Sequence, residues 1–345
     1  MRKLSLKRKQ YLDKWSRVLP GAKRKLVAST RIRPTFEQRH PGEFFAPSQF
    51  NIGNARSRRE LLRFISDFRQ CFAKESPQAI ILDFSATEKL FPDGTLLFLA
   101  ELRRMMRHTK GRHSIRCVLP SNDKVCQVFE QIGLWNLLGV KSPAVPKDDD
   151  VVHWRFAHGH QVEGQRYEDV LSDFDGEIAP DIQESLFKGI TEAMTNVINH
   201  AYLLERQDGC GLEHEKEWWM FSQLKDDLLI VVFCDLGAGI PRTLPLQRKE
   251  LWAKLTRNGR ASDSSAIENA VKDSTSRTGL HHRGKGLNQI YSTATENPGS
   301  EVAVFSNFGA FGRSKTGKVV RINYDGSIMG TLIHWNIPLQ PKEQQ

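Results

Sequence analysis

The stretch DLLIVVFCDLGAGIP, residues 227–241, decides how the rest of the chain is read. Leu228 to Phe233 form an unbroken apolar run, rich in β-branched side chains and of the length of one buried strand. The run ends at Asp235, and Gly237 and Gly239 follow closely. A carboxylate at the end of a buried strand, with glycines behind it, offers an acceptor in a pocket whose backbone a flat ligand can approach. An Asp before a glycine turn is common in loops. The neighbouring segments therefore carry the argument.

Upstream lies ITEAMTNVINHAY, residues 190–202. Leu186, Ile190, Ala193, Val197 and Ala201 recur at helical spacing and predict a core-facing stripe. The opposite stripe carries Thr191, Glu192, Thr195, Asn196, Asn199 and His200, where helix propensity favours long charged side chains. Glu192, Asn196 and His200 are spaced to project along one side. A carboxylate and an amide oxygen there suit positioning a water or hydroxyl and completing the shell of a Mg²⁺ that keeps most of its waters. Downstream, SRTGLHHRGKGLNQIY (276–291) places Gly279, Gly284 and Gly286 before a helix that starts near Leu287. Glycines opening a helix direct N–H donors at an anion. Arg277, Arg283, Lys285, His281 and His282 add positive charge, which predicts a phosphate cradle.

Taken in order, the three segments resemble the N, G1 and G2 boxes of the GHKL ATP-binding superfamily, and most of all the anti-sigma factor serine kinases. The resemblance covers residues 151–340 and implies a Bergerat-type α/β sandwich with helices on one face of a mixed sheet. It implies ATP and Mg²⁺ as cofactors, Glu192 as general base and Asn196 as the Mg²⁺ ligand. Asp235 would meet adenine, with Gly237, Gly239 and Ile240 around it and Thr331 of GTLIHWNIP (330–338) nearby. Arg283, Gly284, Lys285, Gly286 and Leu287 would form the phosphate turn, and residues 241–283 a partly helical lid. The implied activity is ATP hydrolysis or phosphoryl transfer to a protein Ser/Thr, with a protein partner; the alternative is an ATP-dependent partner-switching module without turnover.

The preceding section alternates strands and helices, as in a small α/β domain over about residues 42–140. AIILDFS (79–85) and SIRCVLP (114–120) read as strands; ELLRFISDFRQCF (60–72), TLLFLAELRRMMRHT (95–109) and residues 122–138 read as helices. The strand that runs through F-P-D-G-T into a leucine-rich helix resembles the STAS domain of anti-sigma factor antagonists. That family places a phosphoacceptor serine directly after the loop aspartate. Gly94 follows Asp93 here, so the hydroxyl is missing, and Thr95 is expected to act as a helix N-cap. KSPAVPKDDD (141–150) reads as a linker between the two domains.

Residues 1–33 hold twelve Lys and Arg against Asp13 alone, a net +11, while the whole chain is +10. The remainder is therefore close to neutral, and the basic character belongs to a tail spanning about residues 1–40. Such a tail suits nucleic acid, an anionic surface or an acidic partner. The longest apolar run falls far short of the roughly 20 residues of a membrane span, and five scattered cysteines suit a reducing, cytoplasmic setting. GRSKTGK (312–318) fits a P-loop pattern but has Val319 where Ser or Thr would hold Mg²⁺, so a basic hairpin turn is expected. His153, His158 and His160 have no Cys pair or carboxylate at metal spacing in the sequence, and zinc is not expected there.

Overall fold

The computed structural model describes residues 42–141, 144–171, 178–210, 215–257, 259–276 and 286–339. The basic tail, Arg277, Gly279, His281, His282, Arg283, Gly284 and Lys285 lie outside the described residues.

The first section is a parallel β/α region. Strands β1 (Glu43–Phe45), β3 (Ala79–Asp83) and β5 (Ser114–Val118) pair in that order, all parallel. A small parallel ribbon joins β2 (Gln49–Phe50) to β4 (Lys89–Leu90). Helix α1 (Ala55–Phe72) starts where the Asn54 side chain accepts hydrogen bonds from the Arg56 and Ser57 amides. The expected single helix over 122–138 is two, α3 (Asp123–Gln131) and α4 (Leu134–Leu138). Gly133 parts them at φ +76°, in the left-handed region that favours glycine.

Helix α2 spans Pro92–Thr109, so Pro-Asp-Gly is its first turn and not a preceding loop. The fixed φ of proline suits that position, where its missing N–H has no helical acceptor anyway. The expectation of Thr95 as N-cap is thereby corrected: Phe91 is the capping residue, and Thr95 lies inside the helix, fully buried. Gly94 is held by a close approach, since a Cβ there would stand 2.4 Å from the backbone carbonyl of Phe50. A serine cannot fit without moving β2. Gly94→Ser should therefore cost at least about 2 kcal/mol by overpacking, read as a lower urea midpoint; an unchanged midpoint would show that β2 yields freely.

The second section is built on seven strands: β6 (Arg155–Gly159), β7 (Trp218–Lys225), β8 (Leu228–Asp235), β9 (Glu301–Ser306), β10 (Gly309–Arg313), β11 (Val319–Asn323) and β12 (Thr331–Pro338). Their order is β11-β10-β9-β12-β8-β7-β6. Every pairing in it is antiparallel, which corrects the mixed sheet implied by the resemblance. The reason is the place of the last strand: β8 and β9 run the same way across their helical connection, and β12 inserts between them, antiparallel to both. Elsewhere short hairpins suffice. Asp226 and Asp227 take φ +51° and +58° between β7 and β8, the left-handed pair that matches strand twist. Residues 314–318 turn between β10 and β11, with the Ser314 amide donating to Lys318 O. GRSKTGK is thus a hairpin, as its sequence implied.

The sheet has both faces covered. One carries α7 (Pro180–Asn196), α10 (Asp263–Ser276) and α11 (Gly286–Glu296), packed over Trp218, Met220, Val231, Phe233 and Ile333. The other packs Trp219, Phe221, Val232, Cys234 and Leu332 into the core of the N-terminal region. Strand alternation sends the two tryptophans to opposite sides, and both are buried. The described part of the connection, 144–150, is docked: the Gln127 Oε1 accepts from the amides of Lys147 and Asp148 before α5 (Asp149–Val152), and α6 (Gly164–Leu171) follows β6. All five cysteines are free, and no helix among the described residues is long and apolar enough to cross a membrane.

At the seam a buried charge network crosses between the sections. Glu101 of α2 binds Arg69 of α1 at 2.6 Å and Arg206 of the loop after α7. Arg104 binds Asp208 of the same loop. Burial alone would push the Glu101 carboxyl up, but Arg206, Arg69 and Arg104 hold it at about 2. A second crossing is Arg58, whose guanidinium donates to the backbone oxygens of Ile52, Gly326 and Asn307 and stacks over Tyr324.

Candidate functional site

Asp235 ends β8 opposite Thr331, the first residue of β12. Its Oδ1 accepts the Gly237 amide at 2.9 Å, and Thr331 also hydrogen-bonds to it. The carboxyl is buried, and that burial pushes its pKa up to about 6 against the opposing pull of these hydrogen bonds and of Arg206. The two glycines that follow are each set by contact. A Cβ on Gly237 would meet Ala201 O at 2.3 Å, and Gly239, at φ +83°, would drive one into the Asn307 side chain. Helix α8 (Ile240–Gln247) begins at once after Gly239, with Pro241 in its first turn. The remaining lid segment contributes α9 (Lys249–Thr256) and α10.

Four groups not assigned to the site from the sequence fix this loop. The Ala238 amide donates to Ala201 O at 2.7 Å, and the Asn307 amide nitrogen donates to Ala238 O at 3.0 Å. Ser306 Oγ accepts the Ile240 amide at 2.9 Å and lies 3.2 Å from the Thr331 hydroxyl. Tyr202 accepts the Leu236 amide and donates to Glu217 O. The signal for Ala201 and Tyr202 is a turn type, because α7 ends in one wide turn over Val197–Ala201 that frees the Ala201 carbonyl toward the loop. Nothing in composition or spacing marks Ser306 or Asn307.

That wide turn also changes the register of the helix. His200 falls within this turn, outside the regular part of α7 that carries Glu192 and Asn196, and it is half-buried near Arg248. Glu192 and Asn196 keep their spacing within the regular part of α7. Burial pushes the Glu192 carboxyl above its ordinary value. The Asn196 side-chain nitrogen is buried with no hydrogen-bond partner among the described residues. An orphaned buried amide costs stability unless a ligand completes it.

No family model, curated protein or solved structure matches the chain.

Helix α11 completes the set. Thr293 meets Ser185, and Gly189 lies against Ile290, so α7 and α11 run antiparallel in close contact. Gly286, at the start of α11, is thereby level with Ala193 and close to the turn carrying Glu192 and Asn196. A helix N-terminus there attracts an anion. Leu287 is half-buried and packs inward. The structure thus gathers Asp235, Gly237, Gly239, Ile240 and Thr331 at one place and Glu192, Asn196 and Gly286 at another, joined through the Ala201–Ala238 contact. The remaining predicted phosphate residues, Arg283, Gly284 and Lys285, lie outside the described residues.

Proposed function

We propose that the chain is an ATP-binding regulatory protein of the GHKL type, with an STAS-like N-terminal region. The observation that carries this reading is Asp235, a buried carboxylate at a strand end whose following loop is braced by backbone and side-chain contacts. The Gly237 amide and Thr331 leave acceptor capacity on this carboxylate for one further donor, and an exocyclic amine supplies it. The residues fit the remainder of the nucleotide. The amide oxygen of Asn196 would hold Mg²⁺, its unpaired amide nitrogen would donate to a phosphate oxygen or a water, Glu192 would position the attacking water or hydroxyl, and the α11 N-terminus would face phosphate. When bound, the ion would neutralise phosphate charge and polarise the reacting group.

Within that frame Glu192 is the proton acceptor. Its burial raises its proton affinity, which strengthens it as a base toward a water or a Ser/Thr hydroxyl. Glu192→Ala should leave ATP affinity within about threefold and reduce turnover by roughly 10²–10⁴, the range of a lost general base. Calorimetry and phosphate release, run with and without candidate protein substrates, measure the two separately. If the wild type releases no phosphate and transfers none, the partner-switching reading replaces the enzymatic one.

One observation favours that second reading. The adenine-side loop is tied to the N-terminal region twice, through Arg58–Asn307–Ala238 and through Glu101–Arg206–Met329. Occupancy of the nucleotide site is then felt across the seam, where a protein partner would read it.

A further inference from the structure

The sequence offers His158 and His160 no carboxylate, but the sheet brings one. His158 and His160 sit two residues apart at the end of β6, so they share a face. The register pairs Gly159 with Trp218, which sets Glu217 directly across from His160 on that face. The face is the one turned to α2, since Trp219, two residues on from Glu217, packs in the N-terminal core.

We propose that His158, His160 and Glu217 form a binding site for a zinc-class divalent cation at the seam between the sheet edge and α2. One ligand atom from each residue lies within 4.8 Å of the other two, and His160 Nε2 stands 3.4 Å from Glu217 Oε1. Metal–nitrogen and metal–oxygen bonds of about 2.0–2.2 Å at tetrahedral angles put ligand atoms about 3.3 Å apart. One pair is therefore already at coordination distance, and the third needs only side-chain adjustment. Two imidazoles with one carboxylate suit zinc and its neighbours over magnesium or calcium, which favour all-oxygen shells. Three protein ligands leave a fourth position for water.

The surroundings hold this set in place. The Arg107 guanidinium binds the other carboxylate oxygen, Oε2, which fixes Glu217 and leaves Oε1 turned to His160, the outer support that metal carboxylates generally have. Tyr202 holds the Glu217 backbone oxygen. His158 is half-buried, its ring packed against that of Phe156 with centroids 5.8 Å apart. Arg103 and Arg107 oppose a second positive charge, which predicts moderate and not extreme affinity. This cluster is separate from the residues assigned to Mg²⁺-ATP, and its existence does not depend on that reading.

Titration of the full chain with Zn²⁺ by calorimetry, paired with Co²⁺ absorption spectra, tests the site. One ion per chain is expected, with cobalt bands typical of a four-coordinate nitrogen and oxygen shell. His160→Ala, at a half-exposed position that tolerates truncation, should weaken binding at least about 100-fold, and Glu217→Gln should weaken it by at least tenfold. Zinc should also raise the unfolding temperature of the wild type and not that of His160→Ala. Absence of binding overturns the proposal. So does equal binding by His160→Ala, or sulfur-to-cobalt charge transfer, which would assign the ion to cysteines.

Discussion

Asp235→Asn is expected to lose ATP binding by at least about 100-fold while leaving the unliganded fold as stable as the wild type or more so. The amide replaces one acceptor oxygen with a donor, which then faces the donating amine of adenine; sites built on a single buried hydrogen bond discriminate at this level or beyond. Stability moves the other way. Burial raises the Asp235 pKa to about 6, so the native state binds this proton more tightly than the unfolded chain does. The group favours folding below its unfolded value near 3.8, and that contribution disappears as pH rises through about 6. At neutral pH the ionised carboxyl opposes folding by up to about 3 kcal/mol, and the neutral amide avoids this. ATP affinity of the wild type should accordingly fall as pH drops below about 6, and that of the variant should not follow it. Calorimetry across pH, with thermal unfolding of both proteins, gives the answer; unchanged affinity in Asp235→Asn would remove the adenine assignment.

The second large effect lies at the seam. Glu101→Gln leaves Arg69, Arg104 and Arg206 facing one another across a buried site with only Asp208 to offset them. Removing one partner from a buried ion cluster costs about 3–5 kcal/mol, because the remaining charges stay desolvated. Urea unfolding should show this as a large drop in midpoint, whereas Arg59→Ala, which breaks an exposed pair with Asp325, should barely move it. The sign with pH is opposite to that of Asp235. The arginines hold the Glu101 carboxyl at about 2, so its contribution is complete above its ordinary value of 4.5 and is lost as pH falls toward 2. A loss under about 1 kcal/mol would mean that water enters the seam.

How much of this was legible in the sequence depends on the range of the interactions. The apolar run 228–233, the period of 186–201 and the Asp-Gly turn are local patterns, and β8, α7 and the start of α11 fall where those patterns put them. The hairpin in GRSKTGK was readable for the same reason. What escaped depends on partners distant along the chain. Strands β1, β2 and β4 are very short and gain their identity from pairing. The mixed-sheet expectation failed because nothing local tells β12 to enter between β8 and β9. Thr95 was misplaced because a burial decision, Gly94 against Phe50, fixed the helix start. The wide turn at Val197–Ala201 was not foreseen because the apolar spacing from Leu186 to Ala201 continues through it, and the turn answers to the loop it meets. Glu217 joined His158 and His160 only through register.

The two-sided sheet has a consequence for how this chain can change over generations. A domain joined by a simple tether can be exchanged for another, since only the tether must match. Here Trp219, Phe221, Val232 and Leu332 form part of the core of the N-terminal region, and Glu101 answers to Arg206. A transplanted N-terminal region would meet bare apolar strands and an unbalanced arginine. A change at Glu101 or at Arg206 therefore calls for a matching change across the seam, and the two halves can be exchanged only together.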